Sequence, residues 1–337
     1  MSAGAADEQT MTVREALALA LDQALAADER VLLLGEDIAD PGGGVSGVTA
    51  GLSTTYGEDR VLDTPISEAA IAGAAIGAAL EGMLPVAEIM IMDFVGIAID
   101  QIVNHAAKLR FMSGGRTTCP ITLRTAVFGG LGSGATHSQS LEAWFMHIPG
   151  LKVVVPSTPR DAKGLLTAAI FDPDPCVVVE TVITYGATGP VPLDPGFTIP
   201  IGEAEVKRPG NDVTIVTYGR GVFDAMTAAD QLSSEGIDVE VLDLRSLVPL
   251  DTARVLESVA KTRRAVVHHY ATTFAGPGAE VAATISAELF GQLAAPVARV
   301  GGRFTPIPAA AGLEAAALPS ASMLVDAVRR TVGRHGG

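Results

Sequence analysis

The sequence predicts an α/β protein of two domains, each a mostly parallel sheet flanked by helices. Three observations carry that prediction. Helical and strand-like patterns alternate along the chain. A stretch rich in Pro and Gly, residues 184–200, interrupts the alternation without a period of its own and reads as an interdomain linker. A length of 337 residues also exceeds what one core holds, because single cores stop growing near roughly 250 to 300 residues. The domains are expected over residues 1–195 and 205–337.

Residues 1–10 read as a small, polar tail. Thr12-Val13-Arg14-Glu15 is a capping box that opens a helix to about Ala27, and Val31-Leu32-Leu33-Leu34 is a buried strand that delivers Glu36-Asp37 at its carboxyl end. Asp63-Thr64-Pro65-Ile66-Ser67-Glu68 then leads straight into Ala69 to Leu80, an apolar helix with no further charge until Glu81. This helix is expected to be buried on every face, with Glu68 in its first turn where the macrodipole favours an anion. Pro85 to Ile91 is the next strand and Asp93 to Phe111 a helix. Pro120 to Arg124, Val153-Val154-Val155 and Val177-Val178-Val179 continue the sheet, with a helix starting at Thr158-Pro159. After the linker, Val213 to Thr217, Val239 to Leu242, Ala265 to His268 and Val297 to Val300 give four strands of a smaller sheet.

Composition narrows the class. The formal net charge of −15 argues against a nucleic-acid surface. Hydrophobic residues make up 48% and mean hydropathy is +0.36, yet no uninterrupted apolar run reaches the roughly 18 residues a membrane helix needs. The apolarity is therefore assigned to core and subunit contacts. Cys119 and Cys176 lie at or before apolar strand-like runs and read as buried free thiols. With no metal-ligand spacing and no signal-type segment, the expected location is the cytoplasm.

Two residues stand out as chemistry. An ionised carboxylate such as Glu68, buried without a partner, is costly enough to take a proton, which suits a group that shares a proton with a bound heterocycle. The alternative is a first-turn Glu that caps its own helix. The run Phe128 to Ser140 is a glycine loop that ends in His137; it has no Lys and does not match a phosphate-binding Walker pattern. A histidine there suits proton transfer at neutral pH, the alternative being a packed core histidine. His105 and His147 read as packing or surface residues, and His268-His269 has no third ligand at zinc spacing.

Read together, the segments Leu34-Gly35-Glu36-Asp37, Asp63 to Glu68, Asp100-Gln101-Ile102-Val103-Asn104, Met112-Ser113-Gly114-Gly115, His137-Ser138-Gln139-Ser140, Pro149 to Val154, Pro156-Ser157-Thr158-Pro159 and Val216-Thr217-Tyr218-Gly219 resemble a known family. From Met11 to about Pro319 the chain resembles the beta subunit of the thiamine-diphosphate-dependent, decarboxylating component of 2-oxo acid dehydrogenase complexes, the pyruvate, acetoin and branched-chain group. The resemblance implies a transketolase-like pyrimidine-binding domain followed by a transketolase C-terminal-like domain. By it, Glu68 bonds the ring nitrogen of the cofactor's aminopyrimidine, Phe94 packs against that ring, and Glu36 lies in a proton path between paired sites. His137 holds substrate or intermediate during transfer of the acyl group to a lipoyl arm. A structural potassium ion is implied at Ile121, Ala169, Ile170, Asp172 and Asp174, held largely by backbone carbonyls.

The family binds diphosphate through Mg2+ on a Gly-Asp-Gly segment, and none occurs here. The chain is thus expected to carry half a site, with Mg2+ on an alpha subunit in an alpha-two beta-two heterotetramer and with a lipoyl acyltransferase core and a 2-oxo acid as further partners. Two departures from the family pattern stand in the second domain. His268-His269-Tyr270 replaces a His-Glu, and Ile307 to Ala311 lacks an aromatic common there. A lipoyl-independent carboligase subunit, or a non-catalytic scaffold for an alpha subunit, is the alternative reading.

Overall fold

A computed structural model of the chain describes residues 7–333. The chain divides into two compact units, the first formed by residues 1–127 and 144–201 and the second by residues 128–143 and 202–337. The glycine loop and His137 therefore group with the second unit, not with the residues that precede them in the chain.

The first unit begins with β1 (Glu8–Thr12), so part of the stretch read as a tail is ordered strand, while residues 1–6 lie outside the described residues. Thr12 then caps α1 (Val13–Ala27): its Oγ1 accepts the Glu15 N–H at 3.1 Å, and Glu15 Oε2 accepts the Thr12 N–H at 2.7 Å. The chain continues through β2 (Val31–Glu36), α2 (Leu52–Tyr56), β3 (Val61–Thr64), α3 (Glu68–Leu80), β4 (Leu84–Ile89), α4 (Val95–Asp100), α5 (Leu109–Met112), β5 (Thr122–Val127), α6 (Glu142–Met146), β6 (Lys152–Val154), α7 (Pro159–Ile170), β7 (Cys176–Thr181) and β8 (Thr188–Pro192). The strands β6-β7-β5-β4-β2-β3 lie side by side in that order, all parallel. Leu17, Leu21 and Leu25 of α1 and Leu165, Leu166 and Ile170 of α7 bury against Val31, Leu33, Val86 and Val178 of the sheet. Such near-continuous apolar strands are what a parallel sheet covered by helices requires.

Three expectations are corrected here. The stretch read as linker contains β8, which pairs antiparallel with β1 in a two-stranded ribbon, Glu8 opposite Pro192 and Thr12 opposite Thr188. The helix expected over 93–111 is broken: a 3-10 turn at Met92–Phe94, α4, a π-helical turn at Gln101–Ala106, then α5. Helix α3 is not buried all round. Glu68, Ile71, Ala72, Ala75, Ile76 and Ala79 form a buried face at three- and four-residue spacing, whereas Ala69, Ala70, Ala74, Gly77 and Leu80 are exposed on the single chain. A helix made almost wholly of small apolar residues gives no period by which its sequence could mark the two sides.

The second unit holds β9 (Glu205–Arg208), β10 (Val213–Thr217), α8 (Gly221–Ser233), β11 (Val239–Asp243), the short β12 (Ser246–Val248), α9 (Thr252–Thr262), β13 (Ala265–Thr272), α10 (Pro277–Glu288), β14 (Ala298–Gly302), α11 (Ala311–Ala317) and α12 (Ala321–Thr331). Its sheet runs β14-β13-β10-β11-β9. The four expected strands are parallel, and β9 adds an antiparallel edge. Val213, Ile215, Val239 and Val241 pack with Ala225 and Leu232 of α8 and Leu324 and Val328 of α12. The stretch Ala311–Thr331 has the length and hydropathy of a membrane span. It is nonetheless broken at Leu318–Ser320 into α11 and α12, and the apolar face of α12 belongs to this core.

Candidate active site

In the first unit β2, β3 and β4 are parallel neighbours, so their carboxyl ends form one edge of the sheet, where open α/β sheets place their sites. Glu36 is the last residue of β2, Glu68 opens α3 just past β3, and Phe94 is half-buried in the turn that follows β4. Ser67 donates its backbone N–H to Glu36 Oε1 at 3.2 Å, which ties Glu36 to the residue immediately before Glu68. Burial pushes the Glu36 carboxyl above its usual range, and the charges of Glu68 and Asp37 push the same way while the Ser67 N–H opposes them. Glu68 is only 4% exposed, and the hydrogen bond at this corner goes to Glu36, not to the Glu68 carboxylate. A carboxylate left without a protein donor is open to a ligand that brings a proton or shares one.

Behind this edge lies a charge network that the sequence did not reveal. Arg124 on β5, 3% exposed, donates to Glu88 Oε2 of β4 at 2.5 Å and to both oxygens of Glu180 of β7 at 2.7 and 2.9 Å; Tyr185 also donates its hydroxyl to Glu180. One guanidinium thus faces two carboxylates in the low-dielectric interior. The network lines a small cavity with Gly44, Val48 and Met90.

The residues expected to hold a potassium ion surround the turn after α7. Ile121, Ala169 and Ile170 are buried. The carbonyl of Ile121 accepts the Cys176 N–H at 2.9 Å, and that of Ala169 accepts the Asp172 N–H at 3.2 Å. Both Asp172 oxygens take Lys152 Nζ at 2.6 Å, and Asp174 takes Arg110. The two acidic side chains are therefore neutralised by the chain's own cations, and an ion bound here would be held through main-chain oxygens.

In the second unit His137 is half-buried, with Thr136 Oγ1 3.0 Å from its Nδ1 and its own N–H donating to the Gly134 carbonyl at 3.3 Å. The loop that precedes it turns through left-handed backbone at Gly130, Gly132 and Gly134, positions that favour glycine. Glu314 of α11, 5% exposed, accepts the Gly130 N–H at 2.8 Å on one oxygen and the Gly132 N–H at 3.0 Å on the other. Arg220 donates to the Gly129 carbonyl at 3.1 Å, and its guanidinium lies 4.1 Å from the centre of the Tyr270 ring. Asp224 accepts the Tyr270 hydroxyl at 2.6 Å and lies 3.3 Å from His268 Nε2. His268 and Tyr270 are thus packing partners of Asp224 and Arg220. His105 and His147 are exposed, as expected of surface residues.

Beyond His137 the loop enters a buried polar patch. Ser138 is fully buried, and burial raises the Glu142 carboxyl to about 7. The Tyr218 hydroxyl is pushed up by burial and by Glu142, and its ring stacks on His269 at 6.1 Å. Burial, with the neighbouring His268, lowers His269 to about 4, so this imidazole is neutral at physiological pH.

Comparison with known proteins decides the family. The transketolase pyrimidine-binding domain matches residues 9–187 and the transketolase C-terminal domain matches residues 202–324. The chain is 46% identical over 327 residues to subunit beta-2 of the mitochondrial pyruvate dehydrogenase E1 component of Oryza sativa subsp. japonica, covering 96% of this chain and 87% of that one. It is also 46% identical over 336 residues to the beta subunit of acetoin:2,6-dichlorophenolindophenol oxidoreductase of Cupriavidus necator, covering 96% and 99%. The chain is a member of this beta-subunit family. A split-gene transketolase structure described as an inactive beta4 tetramer shares its fold, with a TM-score of 0.78 at 24% identity over 96% of this chain and 98% of that one.

Of the candidate residues named from the sequence, Glu36, Glu68 and Phe94 lie in the first unit and His137 in the second. Glu314 and Arg220 escaped the sequence reading because their partners are main-chain groups of glycines, which leave no side-chain pattern to match.

Proposed function

We propose that the chain is the beta half of a thiamine-diphosphate-dependent dehydrogenase that acts on a 2-oxo acid or acetoin and passes an acyl group to lipoamide. Glu68, 4% exposed at the carboxyl edge of the sheet and one residue from the amide that holds Glu36, is the observation that carries this reading. When bound, thiamine diphosphate supplies the electron sink for cleavage next to the carbonyl. Glu68 would hold the ring nitrogen of the aminopyrimidine by a hydrogen bond. Glu36 beside it, with its raised proton affinity, serves as the neighbouring store in a proton path. Phe94 would pack its ring against the heterocycle, and His137 would hold substrate or intermediate during transfer of the acyl group.

Without a Gly-Asp-Gly segment the chain depends on an alpha subunit for Mg2+ and diphosphate, in an alpha-two beta-two assembly that serves a lipoyl acyltransferase core. A potassium ion held by main-chain oxygens around Ile121, Ala169, Ile170, Asp172 and Asp174 belongs to the same reading. So does a cytoplasmic location, which the unpaired, buried Cys119 and Cys176 suit. Glu68→Gln tests the proposal: in the assembled enzyme it should leave the circular dichroism spectrum unchanged and lower turnover by at least roughly a hundred-fold, as loss of a proton-transfer group does. Turnover near that of the unaltered enzyme would refute the role given to Glu68.

A further inference from the structure

We infer that Glu314 is a positioning residue that sets the glycine loop carrying His137 and so governs acyl transfer, a role that rests on the reading of His137 above. Two amides two residues apart, Gly130 N–H and Gly132 N–H, converge on the two oxygens of one carboxylate, at 2.8 and 3.0 Å. Backbone amides arranged this way form an anion-binding concavity, and here an anion of the chain itself fills it. Hydrogen bonds to an ionised acceptor are stronger than neutral ones, so this clamp outweighs most single contacts a surface loop makes.

The opposite polarity of the same loop is held from another element. Arg220 donates to the Gly129 carbonyl, its guanidinium lies over the Tyr270 ring, and Asp224 in turn holds the Tyr270 hydroxyl. Residues 129–132 are therefore gripped on both N–H and C=O groups. The segment before α11 adds contact without a side chain of any size: a Cβ on Gly132 would lie 3.3 Å from the Ala309 carbonyl, and one on Gly134 would lie 3.5 Å from the Ala309 Cβ. Gly134 then accepts the His137 N–H. An unbroken chain of contacts runs from α11 through the loop to the histidine backbone, all within the second unit. Glycines with positive φ have the most conformations to lose, and without the clamp the loop recovers them.

Glu314→Gln separates positioning from bulk, because it keeps size but turns an amino group toward one glycine N–H. Glu314→Ala empties the concavity, which acetate can refill. Each variant is assembled with its alpha-type partner and read three ways: 2-oxo acid oxidation with a dye acceptor, acylation of a lipoyl domain, and hydrogen exchange of the 128–136 segment. We expect dye reduction within about two-fold of the unaltered enzyme, lipoyl acylation slower by roughly ten-fold or more, and faster exchange in the loop. Acetate should restore acylation to Glu314→Ala and leave Glu314→Gln unchanged. Equal loss in both assays, unchanged acylation, or a variant that fails to assemble and gains nothing from acetate would overturn the proposal. Absence of dye turnover in the unaltered enzyme would instead overturn the functional reading, and unchanged loop exchange in the variants would still count against the clamp.

Discussion

The backbone N–H of Ser67 binds Glu36 at 3.2 Å, and the next residue in the chain is Glu68. Two buried carboxylates from different strand ends are thereby brought to one corner. Like charges in such surroundings favour protonation of one of them. The raised proton affinity of Glu36 makes it the group that holds the proton as pH rises above the ordinary carboxylate range.

Glu36→Gln should therefore cost activity without costing stability. An acid whose pKa is raised by folding binds more protons folded than unfolded above its ordinary value, so its contribution to stability falls as pH rises. Removing that group should leave the melting temperature at pH 8 unchanged or higher, while turnover drops by roughly ten-fold or more. A clear fall in melting temperature would contradict this account of the pair.

His269 and Glu142 should oppose one another in the acid range. The His269 pKa is lowered from 6.5 to about 4, so the unfolded chain binds more protons between those values and stability falls as pH falls through them. The Glu142 pKa is raised from 4.5 to about 7, so the folded chain binds more protons there and stability falls as pH rises. Each effect is worth about 3 kcal/mol across its window. The intact protein should show little net slope between pH 4.5 and 6.5 from these two groups. His269→Gln should unmask stability that declines with rising pH, and Glu142→Gln the reverse. Denaturant midpoints at several pH values read the slopes, and the same slope in both variants would refute the pairing.

Arg124→Met should be far more damaging than its conservative volume suggests. It leaves Glu88 and Glu180 buried without a cation, a loss of about 3 to 5 kcal/mol. Adding Glu180→Gln should recover a large part of it, as should mild acid. A single variant within about 1 kcal/mol of the unaltered chain in urea unfolding would show that the network contributes little.

Much of the fold was legible because its signals are local. The Thr12–Glu15 capping box fixes the start of α1 within four residues, and the valine runs at β7 and β10 stand out without any knowledge of their partners. Pairings across the chain left no such mark. β1 is polar and meets β8 some 180 residues later in a Pro- and Gly-rich stretch, so each looked like tail and linker. An apolar period also cannot distinguish α-helical from π-helical turns, which is why the breaks between Met92 and Met112 were missed. Among the candidate residues, Glu68 and His137 stood out through their neighbours in sequence. Glu314 was not, since it acts on amides 182 and 184 residues away. The Arg124 network was hidden for a related reason, as its three charges sit on separate strands.

The central claim is that this chain carries half of a thiamine-diphosphate site. The most direct measurement is dye-coupled oxidation of 2-oxo acids and acetoin, with thiamine diphosphate and Mg2+, by the chain alone, by its alpha-type partner alone and by the two assembled. Turnover by the assembled pair and by neither chain separately is the predicted result. Turnover or tight Mg2+-dependent cofactor binding by this chain alone, or an assembled pair that turns over none of these substrates, would contradict it.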